Sequence, residues 1–154
     1  WLKLVPGPIV RYDYVAAHLA GLIAEGFAIE GLAYDSYAFQ RLFMPELDAV
    51  GVTVPVVSHP QGGKRKSAES ELWMPGSKRA LESLILEGRI RLQRNPVLVS
   101  AMMSAAIEPD PLDNTSFSKR RATNRIDALI ALTMAVGLAT QHESTAVDVF
   151  AMVG

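Results

Sequence analysis

Apolar runs of strand length alternate with segments of helical periodicity along the first part of this chain. Residues 28–34 form a run in which both faces are largely apolar, as in a strand covered on both sides. The segments 12–25 and 36–50, on either side of it, place apolar residues at helical spacing. Residues 52–58 form another strand, and Pro55 favours an edge position for it. This order predicts an α/β domain with a partly parallel sheet.

The second part of the chain carries clear helix and turn signals. The predicted elements are a helix over 77–87, a helix over about 96–104, a hairpin of 106–108 with 116–118, and a last helix ending near 140. Asn95 and Pro96 mark a helix start, because Asn is a favoured cap and Pro suits the first helical position. The Pro75–Gly76 pair is predicted to interrupt a helix, and Thr123 or Asn124 to cap the last one.

Two aspartates lie where carboxylates are least expected. Asp35 ends the apolar run 28–34, and Asp127 opens a nearly all-apolar helix. Ala131 and Met134 lie on the same face of that helix as Asp127, and because both are apolar, Asp127 is predicted to face inward. Buried carboxylates are costly unless a cation or metal pairs with them. Because neither has a Cys or His neighbour, the ion indicated is Mg²⁺ or Mn²⁺ rather than Zn²⁺. The alternatives are that Asp35 caps the following helix and that Asp127 only complements a helix dipole.

The chain is not basic overall, since its formal net charge is −1, but its basic residues are clustered. The clusters are Lys64, Arg65 and Lys66 in one loop, and Lys119, Arg120, Arg121 and Arg125 before Asp127. Such patches beside carboxylates suit the binding of DNA phosphates, although a solvated turn is the commoner role of a basic cluster. The absence of cysteine excludes disulfides and thiolate zinc sites. His59 is predicted to be a polar loop residue, and no apolar run reaches the length of a membrane span.

Six short motifs follow one another in a specific order. They are Gly-Leu-Ala-Tyr-Asp-Ser-Tyr at 31–37, Pro-Gln-Gly at 60–62, the segment 81–90, Asn-Pro-Val-Leu at 95–98, Ser-Lys at 118–119, and the segment 125–135. In this order they resemble the nuclease domain of the large terminase subunits of tailed bacteriophages. The resemblance covers residues 1–140 and leaves 141–154 as a C-terminal tail. Members of the family often have Trp and Asn where this chain has Ser100 and Ser104. They also often have a hydrophobic or aromatic residue just before the Gln-Gly, where this chain has His59 and Pro60.

The resemblance implies an RNase H-like mixed sheet flanked by helices, here lacking its first strands. It implies an endonuclease that cuts concatemeric viral DNA during packaging, with two Mg²⁺ or Mn²⁺ ions held by an acidic triad. Asp35 matches the second member of the triad and Asp127 the third, and the first is expected upstream of this chain. The 154 residues alone are therefore expected to be nearly inactive.

The partners that the resemblance implies are double-stranded DNA, an ATPase domain upstream in the same chain, the small terminase subunit and the portal. The expected location is the cytoplasm of a bacterial host, without a membrane. Two alternatives stay open. One is another RNase H-like nuclease, such as a resolvase or integrase, and the other is a non-catalytic module that docks on the motor or portal.

Overall fold

A computed structural model of the chain describes residues 5, 7–9, 11–35, 38–62, 72–109 and 114–151, with side chains described as far as Gln141. The helices are α1 Tyr12–Ala24, α2 Met44–Ala49, α3 Met74–Leu86, α4 Pro96–Ser104 and α5 Asp127–Ala151, and a π-helical turn, Phe39–Phe43, precedes α2. The strands are β1 Leu32–Tyr34, β2 Val56–Ser58, β3 Ile107–Pro109 and β4 Thr115–Phe117. The chain divides into two compact units, Trp1–Val57 and Ser58–Gly154.

The first unit is built on an aromatic core under α1. Ala16, Phe39, Phe43, Leu47 and Val52 are buried together. The ring of Tyr34, the last residue of β1, stacks on Phe39 with centroids 4.0 Å apart. This contact fixes the carboxyl end of β1 against the core.

The first two strands are shorter than predicted. β1 and β2 form a two-stranded sheet, and the Leu32 amide donates to the Pro55 carbonyl at 2.8 Å. Residues 28–31 and 52–55 precede these strands, and among them Pro55 contributes this one hydrogen bond to the pairing. Apolar runs predict where a strand lies, but the partner decides how much of the run pairs.

The second unit is centred on the packing of α3 against α5. Leu81, Ala101, Leu129 and Val136 are buried together at its core. The prediction that Pro75 and Gly76 interrupt a helix is wrong, because both lie in the first turn of α3. Proline is tolerated there since the first helical N–H groups have no intrahelical acceptor to lose.

The remaining local signals of the second unit are largely confirmed. The Asn95 side chain accepts from the Val97 and Leu98 amides, at 2.9 and 3.3 Å, and so caps α4 as predicted. β3 and β4 form the predicted antiparallel hairpin, with Ile107 opposite Phe117.

The last helix differs from its prediction at both ends. α5 begins at Asp127 and continues to Ala151, past the predicted end near 140. Thr123 and Asn124 do not cap it, because the residue directly before the helix is Ile126. The Thr123 amide and the Asn124 side chain instead donate to Ser104, each at 3.3 Å. None of the helices in the described part of the chain is both long and apolar enough to cross a membrane.

Candidate functional site

Asp127 occupies the first turn of α5 and points towards solvent. Its neighbour Ile126 is buried and accepts from the Ile130 amide at 3.0 Å, which anchors this end of the helix. The Asp127 side chain is 61% exposed, so the prediction that it faces inward is wrong. The helix is nearly all apolar, but its outer face carries the small residue Ala131, which is exposed as well. Composition alone therefore could not identify the buried side.

Lys119 forms an ion pair with Asp127. Its Nζ lies 3.1 Å from Asp127 Oδ1. Lys119 follows Ser118, a buried residue whose amide donates to the Ala106 carbonyl at 2.8 Å and whose carbonyl accepts from the Ala122 amide at 3.1 Å. The backbone under Lys119 is thus held at the end of the β3–β4 hairpin.

The two charges lie at a concave surface that we name the Asp127 pocket. It has a volume of about 560 Å³. Its lining residues are Lys119, Ala122, Thr123, Asn124, Arg125, Ile126 and Asp127. Two cations and one carboxylate therefore share a single opening, as a site for a phosphate and a cation requires.

The other predicted basic residues are spread around this pocket. Arg120 turns to the hairpin, where its guanidinium lies 3.6 Å from Glu108 Oε1. Arg121 and Arg125 are exposed. Lys64, Arg65 and Lys66 lie outside the described residues. The structure therefore places Lys119 and Arg125 together with Asp127, and places Arg120 towards β3.

Asp35 belongs to the first unit and directly follows β1, as predicted. It is half-buried and lines a cavity of about 330 Å³ whose other walls include Tyr12, Tyr34, Phe39 and Phe43. The following π-helical turn has Ala38 at its cap position and no side-chain cap. Within the described residues, Asp35 therefore does not cap that turn.

The chemistry of both aspartates suits a hard divalent cation, because carboxylate oxygens are the ligands that Mg²⁺ and Mn²⁺ prefer. Asp127 is open to solvent and already has a cation, the Lys119 ammonium, as its partner. Among the residues that the structure describes, no group of three or more potential metal-ligating side chains occurs. The assignment of both aspartates to a shared ligand set therefore stays a prediction of the resemblance.

His59 has a role that the sequence did not predict. It is fully buried rather than a polar loop residue, and its Nε2 lies 2.8 Å from the Ser77 hydroxyl on α3. Gln61, two residues further on, contacts the Met134 sulfur on α5 at 3.8 Å. These contacts attach the Pro-Gln-Gly motif to both long helices of the second unit. No local pattern marks such a histidine, because its partner is 18 residues away.

Comparison with solved structures gives the fold its class. The crystal structure of the HK97 bacteriophage large terminase matches with a TM-score of 0.75 and 34% identity, over 88% of this chain and 26% of that one. The large terminase nuclease from the thermophilic phage G20c matches with a TM-score of 0.55 and 16% identity, over 85% of this chain and 63% of that one. The described helices and small sheets are thus those of terminase nucleases.

Comparison of the sequence gives the family. The model of the terminase large subunit endonuclease domain matches residues 5–143. The large terminase subunit of Enterobacteria phage HK97 is 35% identical over 138 residues, which cover 90% of this chain and 25% of the relative. The chain belongs to the family of terminase large subunit endonuclease domains. It spans about a quarter of the length of that relative.

Proposed function

We propose that this chain cuts double-stranded DNA by metal-dependent hydrolysis of phosphodiester bonds, as the nuclease part of a genome-packaging terminase. The family match supports an endonuclease. The observation that carries the proposal is the Asp127 pocket, where an open carboxylate lies beside Lys119 and Arg125. An RNase H-like arrangement of the sheet is part of the same proposal, supported by the likeness to the HK97 enzyme.

The proposed chemistry follows from the charges of the site. Mg²⁺ or Mn²⁺ ions, when bound, would supply an activated water and stabilise the charge on the leaving oxygen. Asp35 and Asp127 would each provide carboxylate oxygen to hold them, together with the upstream carboxylate that the family resemblance implies. Lys119 and Arg125 would position the scissile phosphate at the pocket, because cations near the attacked phosphate offset its negative charge.

The remaining basic residues would bind the DNA outside the pocket. Arg120, Arg121 and the segment Lys64–Lys66 are proposed to contact backbone phosphates, which carry no sequence information. Little sequence preference and a steep salt dependence are therefore expected.

The wider assembly belongs to the same proposal. The HK97 relative is a terminase large subunit of which this chain matches one part. We infer that the chain works beside an ATPase domain in the same polypeptide, with the small terminase subunit and the portal as partners, in the cytoplasm of a bacterial host.

Substitution of the two aspartates tests the proposal. Asp35→Asn and Asp127→Asn in the whole gene product should each slow the nicking of supercoiled plasmid in Mn²⁺ by about a hundredfold or more, because the loss of a metal ligand removes several kcal/mol of transition-state stabilisation. Melting temperatures should stay near that of the parent protein, because Asp127 is exposed and its ion pair with Lys119 lies at the surface.

The matched control is Asp48→Asn, which removes an exposed carboxylate from the end of α2. It should cut like the parent protein. Cutting that persists in excess chelator, or full activity of both site variants, would contradict the proposal. If the parent protein binds the portal but never cuts, the docking-module alternative is favoured instead.

A further inference from the structure

Lys119 and Asp127 neutralise each other at the rim of the Asp127 pocket. Their charged atoms are 3.1 Å apart, and the side chains are 53% and 61% exposed. An ion pair so open to water adds little to stability and is easily exchanged for another partner. The start of α5 is held instead by the buried Ile126.

The side chain of Lys119 can move while its backbone stays in place. The turn that carries it is fixed through Ser118, whose hydroxyl also accepts from the Arg121 amide at 3.3 Å. The next residues are fixed through Ser104, which accepts from both Thr123 and Asn124. Between these anchors, the long stem of a half-exposed lysine can swing across the pocket without any change of fold.

We propose that Lys119 is an exchangeable counter-ion that links cation binding to DNA binding. In the metal-free protein it neutralises Asp127. A divalent cation on the same carboxylate displaces the ammonium, because two cations at one oxygen repel each other. The released ammonium remains at the pocket, where it joins Arg125 as a contact for a DNA phosphate. This inference rests on the proposed function for the identity of the cation and of the anion.

The exchange has a thermodynamic signature that a fixed phosphate contact lacks. Lys119 competes with the cation when DNA is absent, and it assists DNA only when the cation has freed it. By linkage, the cation and DNA must then strengthen each other's binding by one common factor. A variant without the Lys119 ammonium should bind the cation more tightly when DNA is absent. The factor by which the cation and DNA increase each other's affinity should be smaller in that variant.

The test compares Lys119→Gln with Arg120→Gln in the whole gene product. Arg120 is a matched control because it carries the same charge one residue away but pairs with Glu108. Calorimetry measures the binding of Mn²⁺ without DNA. Fluorescence anisotropy measures the affinity for a labelled phosphorothioate duplex, which resists cutting, with and without Mn²⁺.

Lys119→Gln should bind Mn²⁺ about fivefold more tightly without DNA, and the gain in DNA affinity on adding Mn²⁺ should fall by a similar factor. Arg120→Gln should weaken DNA binding and leave both of these quantities at the parent values. If Lys119→Gln binds Mn²⁺ like the parent, or if Arg120→Gln tightens it equally, the exchange is wrong. In either case, Asp127→Asn tests the proposed nuclease function separately. If this variant loses Mn²⁺ binding, the proposed function stands. If it binds Mn²⁺ and cuts DNA like the parent, the proposed function is wrong.

Discussion

Ser77 and Gly137 let the two long helices of the second unit approach each other closely. A Cβ built on Gly137 would overlap the Ser77 hydroxyl and lie 2.6 Å from the Ser77 Cβ, which real Cβ atoms essentially never do. The same place is 3.3 Å from His59 Nε2. The small residues Ser77 and Gly137 therefore leave space for the buried His59 where α3 meets α5. Because His59 directly precedes the Pro-Gln-Gly motif, this space also allows the motif to lie beside the two helices.

Gly137→Ala should destabilise the protein although alanine is the better helix former. Overpacking of a fixed core costs about 1–3 kcal/mol, more than the gain in helix propensity of about 1 kcal/mol. The measurement is the free energy of unfolding in denaturant. The matched control is Gly21→Ala in α1, where nothing lies within 4 Å of the added Cβ.

Gly21→Ala should stabilise by roughly 0.5–1 kcal/mol, since only the backbone-entropy effect of glycine operates there. Adding Ser77→Gly to Gly137→Ala should relieve the overlap, but the double variant should stay less stable than the parent, because buried His59 loses its bond to the Ser77 hydroxyl. Equal effects of the two alanine substitutions would show that the close approach of α3 and α5 is not what Gly137 provides.

At the scale of elements, local chemistry predicted the ends of α1, α2, α3 and α4 to within one residue, and predicted helix starts less well. Asn95 was predictable because its side-chain oxygen meets amides only two and three residues ahead. The start of α5 was not, because the helix begins only at Asp127, beyond Thr123 and Asn124, whose donor groups bond to Ser104 of another helix. The outward position of Asp127 was likewise hidden, since an apolar helix with small outer residues shows no single buried face.

Asn95→Ala should cost about 1 kcal/mol of stability, because two amides at the start of α4 lose their acceptor. Chemical denaturation gives the value. Asn95→Asp is the control, because its carboxylate can accept from the same amides and also suits the helix dipole, so stability should stay close to that of the parent. A loss as large in Asn95→Asp would mean that the amide nitrogen of Asn95, rather than the cap, matters.

At the scale of the whole molecule, the six ordered motifs predicted the family, which the comparisons confirm. Each motif is short, and its meaning comes from order along the chain rather than from local structure. The assignment of Asp35 and Asp127 as metal ligands stays a prediction. Asp35 belongs to the first compact unit and Asp127 to the second, so sequence spacing could not define their arrangement.

The proposed mechanism assigns Asp35 and Asp127 to one pair of ions, and this can be tested by replacing Mg²⁺ with Fe²⁺. With ascorbate and peroxide, bound Fe²⁺ generates radicals that cut the polypeptide only near the ion. We expect the whole gene product to be cleaved both near Asp35 and near Asp127, because both carboxylates would hold the same ions. Fragment masses measure the cut positions, and excess Mg²⁺ should suppress both cuts by competition.

The decisive variant is Asp127→Asn, which should reduce cleavage at both positions together, since a weakened shared site loses its iron as a whole. Asp48→Asn should leave the fragment pattern unchanged, because it removes a carboxylate at the end of α2 that the proposal does not use. If Asp127→Asn removes only the cut beside residue 127 and leaves that beside residue 35 at full strength, the two aspartates hold separate ions. The two-metal proposal would then have to be abandoned for this pair of residues.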